Sequence, residues 1–151
     1  MDDAEHARLE RFSDRAERLR RAARDDLAAL PPEVAHFIRV ESAQGLIDNG
    51  GYRLFFERDW KDKPPYQTFV DAYAAIGCKD QAAELARVVE SFGIDDPHLN
   101  PKAREAFVEQ HYDEDRLTVP NWGDALCGDE SVWCALLAYA ERHSTRFERD
   151  R

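Results

Sequence analysis

Ten carboxylates, Asp95, Asp96, Glu105, Glu109, Asp113, Glu114, Asp115, Asp124, Asp129 and Glu130, lie between positions 91 and 130 beside three bases, Lys102, Arg104 and Arg116. Carboxylates at that density serve proton transfer, metal binding or electrostatic capture. Proton transfer needs a nucleophile or second titrating group held at a fixed distance, and no such pairing is visible in the order of residues. Metal binding fares little better. His111 with Asp113 and Asp115 comes nearest, but it lacks the glycine turn and closing glutamate of a calcium loop and reads as a solvated helix end. Electrostatic capture asks less of geometry. Glu105 and Glu109 are one helical turn apart, which puts their Cβ atoms about 6 Å from each other. That is close to the spacing of phosphates along a DNA strand, so such acids suit the DNA-binding face of a basic protein.

The other reactive residues give no site. Phosphate-binding glycine loops, a hydrolase serine elbow and a paired-histidine zinc helix are all missing. His6, His36, His98, His111 and His143 are scattered. Cys78, Cys127 and Cys134 form an odd set without metal-like pairing, and Cys127 and Cys134 are expected as small buried hydrophobes with no base beside them. Catalytic residues, metal ligands and cofactors are therefore none. Arg8, Arg11, Arg15 and Arg18 line one face near the start, but residues 1–30 hold eight acids against seven bases, too balanced for a nucleic-acid arm.

The net charge of −10 divides as −1 over 1–30, −3 over 31–90, −7 over 91–130 and +1 over 131–151. A field of that sign repels nucleic acid and membranes and attracts basic proteins. No apolar run approaches the roughly 20 residues that span a bilayer. Free cysteines and the lack of a signal peptide place the chain in the cytoplasm.

Helical spacing dominates the elements that must carry these residues. Leu9, Phe12, Ala16, Leu19, Ala23, Leu27 and Leu30 make a single stripe, predicting one long helix over 4–30 that Pro31-Pro32 ends. A second helix is expected from about Pro32 to Ile47, closed at Asn49-Gly50-Gly51, with a short third helix over Tyr52–Arg58. In that turn a glycine takes the left-handed cap and the Asn49 amide bonds the last free carbonyls. Further helices are expected near Tyr66–Ile76, over Gln81–Phe92 capped by Asp80, after Asn100-Pro101, and from Asp129 to about His143. No strand pattern competes. The reading is all-α, a single domain of six or seven helices, with 1–30 an amphipathic helix preceding a helical domain over 31–151.

Asn49-Gly50-Gly51-Tyr52, followed by Phe55-Phe56, resembles the Asn-Gly-Gly-aromatic-x-Gln-Phe-Phe signature of a bacterial DNA-mimic protein family whose domain is labelled as of unknown function. Ala75-Ile76-Gly77 and the helix from Ala82 to Phe92 are similar to that family as well, so the likeness covers about residues 34–115. Leu54 replaces the usual glutamine, and Asp59-Trp60-Lys61-Asp62-Lys63 replaces a smaller loop. The resemblance implies an all-helical fold and, in the family's studied branch, an acidic homodimer that imitates DNA to bind a transcriptional regulator. The signature residues maintain the fold. The expected function is a non-catalytic acidic interaction module for a basic partner, a DNA-binding regulator or a toxin. The competing expectation is an enzyme or small-ligand binder with a pocket behind Asn49-Gly50-Gly51 that involves Tyr52, His36 and Trp60.

Overall fold

A computed structural model describes residues 1–111 and 125–148. Six α-helices and no strand occur among them: α1 (Asp3–Ala22), α2 (Pro32–Glu57), α3 (Gln67–Ala75), α4 (Lys79–Glu90), α5 (Pro101–His111) and α6 (Glu130–Arg142). The all-α expectation holds.

Helix α1 opens with a reciprocal cap. Asp2 accepts from the Glu5 amide and Glu5 from the Asp2 amide, each at 2.8 Å. Its buried stripe is Leu9, Phe12 and Ala16. The helix ends eight residues short of the predicted Leu30. After Ala22, Arg24 and Asp25 turn to φ of 55° and 64°, and Asp26 accepts from the Ala28 amide to start a 3-10 turn over Leu27–Ala29. Aspartates that bond neighbouring backbone compete with continued helix, so the apolar stripe runs on to Pro31 while α-geometry does not.

Helix α2 is the axis on which α1, α3, α5 and α6 pack. It bends at Gly50 (φ −170°, ψ 24°) and Gly51 (φ 64°, ψ −164°). The Gly51 pair of angles is essentially open only to glycine. Asn49 Nδ2 donates to the Gly45 carbonyl at 2.6 Å, as the turn requires. The helix expected to start separately at Tyr52 is the second limb of α2 beyond this bend. Leu54 sits over the bend, where a Cβ on Gly50 would meet its Cγ at 2.5 Å.

Tyr52, Phe55 and Phe56 on that limb are fully buried. Ring centroids lie 5.2 Å apart for Phe55–Phe69, 5.2 Å for Phe56–Tyr66 and 4.8 Å for Phe56–Phe92, all near edge-to-face. Such pairs contribute about 0.5–1.5 kcal/mol each beyond the area they bury. Among the helix starts, Asn100 and Asp129 cap as expected, accepting from the Ala103 and Ser131 amides at 3.0 Å. Asp80 does not cap: α4 begins at Lys79 after Cys78, leaving Asp80 in the first turn, where its charge favours the helix dipole.

The cysteines depart from expectation. Cys78 is buried, but Cys127 and Cys134 are exposed. Helix α6 turns Val132, Leu136, Leu137 and Ala140 inward, and Cys134 lies off that stripe.

Candidate functional site

The described acids fall into two groups. Asp95 and Asp96 occupy the link between α4 and a 3-10 turn over Pro97–Leu99, and Glu105 and Glu109 lie on the adjoining α5. All four are exposed, and their side chains make no ion pair or hydrogen bond among the described residues. Ile94 and Leu99 stand among them, 43% and 55% exposed. Asp129 and Glu130 belong elsewhere, at the start of α6. Gln81, in the first turn of α4, donates to Asp129 at 2.9 Å. From Gln81 to Glu90 the axis of α4 advances about 14 Å, so Asp129 sits beside one end of that helix and the first group follows the other. Bonds from Gln81 and then Ser131 hold the Asp129 carboxyl below its ordinary range, and Glu130 pairs with the Met1 amino group. Both are engaged within the molecule. Asp113, Glu114, Asp115 and Asp124 lie outside the described residues.

One residue positions the first group. Arg104 is 4% exposed; its Nε donates to the Phe56 carbonyl at 3.1 Å and its Nη1 to the Pro97 and His98 carbonyls at 3.2 and 2.9 Å. Asp59 approaches it at 3.6 Å. Arg104 thus fastens α5 and the 97–99 turn to the end of α2. It also removes a positive charge from the outer surface, leaving Lys102 as the exposed base of α5. Sequence reading counts Arg104 only as a charge. Its usable signal is Val108, one turn on and buried, which puts Arg104 on the inner face.

A second polar hub holds α6. Asp48 accepts from Gln44 Nε2 at 2.7 Å, the Gly128 amide at 2.8 Å and Trp133 Nε1 at 2.8 Å. Fully buried Gln44 donates to the Leu126 carbonyl at 2.6 Å and accepts from Tyr73 at 2.9 Å. Helices α2, α3 and α6 meet there, immediately before the glycine bend.

A half-open cavity of about 450 Å³ lies between the end of α1, the Leu27–Ala29 turn, the first limb of α2 and the 58–64 loop. The expected pocket behind the glycines is not this one. Trp60 lines the cavity, but Tyr52 and His36 do not. Tyr52 is fully buried, and His36 Nδ1 lies 3.2 Å from the Tyr139 hydroxyl, its pKa lowered by burial and then by the nearby Arg39 charge. Among the described residues no three His, Cys, Asp or Glu side chains converge to hold a metal ion, and no helix is long and apolar enough to cross a membrane.

A family model described as DMP19-like protein matches residues 28–143, from the 3-10 turn after α1 to the end of α6. The chain belongs to the DMP19-like protein family. No curated protein and no solved structure matches it. The DMP19-like segment runs further than the likeness read over 34–115. The added stretch includes α6, which in this chain docks on α2 through Trp133 and the Leu126–Gly128 turn. Helix α1 precedes the matched segment, although it packs on α2 and α6.

Proposed function

We propose that this DMP19-like protein is a non-catalytic interaction module whose acidic edge, formed by Asp95, Asp96, Glu105 and Glu109, engages a basic DNA-binding protein in place of DNA. The observation that carries this reading is the pair of exposed apolar side chains, Ile94 and Leu99, set among four carboxylates that have no partner among the described residues. Unpaired acids steer a basic surface into contact, and apolar side chains between them supply contact area that drops out of water on binding. An acidic coat kept only for solubility has no use for the second feature. The same edge suits a second copy of the chain poorly, since like charges would face each other.

The mechanism is long-range attraction followed by docking, so binding weakens as salt screens the field. The test immobilises the protein, captures from a bacterial lysate at low and raised salt, and elutes with duplex DNA. A basic DNA-binding protein retained at low salt, released by DNA and lost with the Glu105→Lys/Glu109→Lys double variant is the expected result. Capture that ignores salt, or that survives the charge reversal, overturns the reading. Elution of a basic toxin with no affinity for DNA turns it into an inhibitor instead.

A further inference from the structure

We propose that the cavity between α1 and α2 is a binding site for a small amphipathic monocarboxylate, an aliphatic or aromatic acid whose apolar body lies on Ile38, Leu46, Trp60 and Phe69 and whose carboxylate meets Arg39. The site is separate from the acidic edge and independent of what that edge binds.

The floor is apolar by construction. Trp60 and Phe69 have ring centroids 4.6 Å apart, and the Trp60 indole N–H is spent on the Phe55 carbonyl at 3.3 Å, so its ring offers apolar surface. At about 450 Å³ the space falls within the range that small ligands occupy.

The charges around it run against the character of the chain. In a protein of net charge −10, Arg20, Arg39, Arg58 and Lys61 all line this cavity. The acids there are largely committed. Asp25 pairs with Lys61 at 3.0 Å and Arg20 at 3.6 Å, and Asp26 caps the Leu27–Ala29 turn, which leaves Asp62 exposed at the rim. Arg39 and Arg58 have no carboxylate partner among the described residues. Within Arg39 the Nε is buried and has no acceptor. Burial lowers the Arg39 pKa with no anion beside it to offset the loss of water. Arg39 as a whole is only part-buried and lines the cavity, so a carboxylate bound there pairs with a positive charge that no described acid meets.

The rim has an unusual backbone. Five non-glycine residues among those described have positive φ, and four of them, Arg24, Asp25, Asp62 and Lys63, sit in the two loops that frame the cavity. Lys61 ties the loops together through Asp25 and the Arg24 carbonyl at 3.3 Å. Sparsely populated backbone conformations concentrate where surrounding structure fixes a binding geometry. With Arg58 exposed to solvent, Arg39 is the part-buried unpaired guanidinium above the apolar floor, which suits a monocarboxylate better than a phosphate dianion that needs several converging donors and no greasy surface.

Calorimetric titration of the full chain with octanoate and phenylbutyrate tests this, with octanamide and inorganic phosphate as controls. Saturable carboxylate binding that Arg39→Gln weakens at least about tenfold, while octanamide binding stays weak and unchanged, is the expected result. Leu46→Trp, which fills the cavity without touching a charge, abolishes binding and keeps the test alive if the arginine variant fails to fold. Glu105→Lys/Glu109→Lys leaves octanoate binding intact. No saturable carboxylate binding, equal affinity for octanamide, binding that withstands Leu46→Trp, or displacement by phosphate alone would overturn the assignment.

Discussion

Replacing Arg104 with methionine isolates what one buried cation does for the acidic edge. Methionine keeps much of the side-chain volume and removes every donor. The Phe56, Pro97 and His98 carbonyls then lose their partner inside the protein. Hydrogen bonds from a charged donor contribute about 1.5–3 kcal/mol each, and three sharing one side chain do not add fully, so the expected loss is about 3–5 kcal/mol. The exposed Asp59 adds little to that figure, because a solvent-facing partner is screened. For a domain of this size each kcal/mol moves the melting point by roughly 2–4 °C, so Arg104→Met lowers it by roughly 6–20 °C. Arg104→Lys, a point charge that cannot fork to three carbonyls, falls in between. Urea unfolding gives the free energy, and hydrogen exchange shows where it is lost: α5 amides lose protection before those of α2. A loss under about 1 kcal/mol, or exchange that rises evenly over all helices, refutes the assignment of Arg104 as the fastener of α5.

The two glycines that flank the Asn49 turn respond oppositely. Gly51→Ala forces φ 64° on a residue with a Cβ and costs about 1–3 kcal/mol, whereas Gly45→Ala, whose Cβ meets nothing within 4 Å, stabilises by roughly 0.5–1 kcal/mol in urea melts. Burial pushes the Cys78 thiol up to about 11, while Cys127 and Cys134 are exposed, so alkylation of the native protein followed by mass spectrometry labels those two quickly and Cys78 only on unfolding. Burial also raises the Glu41 carboxyl above its ordinary 4.5. Its folded form resists ionising, so Glu41→Gln matches the parent in acid and becomes the more stable of the two as pH climbs through the raised value; equal stabilities at neutral pH contradict this.

Local signals in the sequence located local structure. The Asn49 amide bond, the glycine bend and the Asn100 and Asp129 caps depend on residues within four positions of each other, and each formed as the order of residues implies. The end of α1 was missed because Leu27 and Leu30 extend the apolar stripe past the point where Asp25 and Asp26 divert the backbone. Asp48, Gln44 and Arg104 were not legible as anchors, since their partners are mostly backbone groups and an indole brought close only by folding. The cavity was hidden for a related reason. Its rim needs left-handed Arg24, Asp25, Asp62 and Lys63, and none of those residue types advertises that conformation as glycine does.

The bend at Gly50 and Gly51 gives α2 two arms with different duties. Its upper arm carries Ile38, Arg39, Ser42 and Leu46 into the cavity, and its lower arm grips α5 through the Phe56 carbonyl. One continuous helix thus furnishes two separate faces, so a substitution that spoils the bend, such as Gly51→Ala, disturbs both at once, whereas a ligand above and a protein below each touch one arm alone.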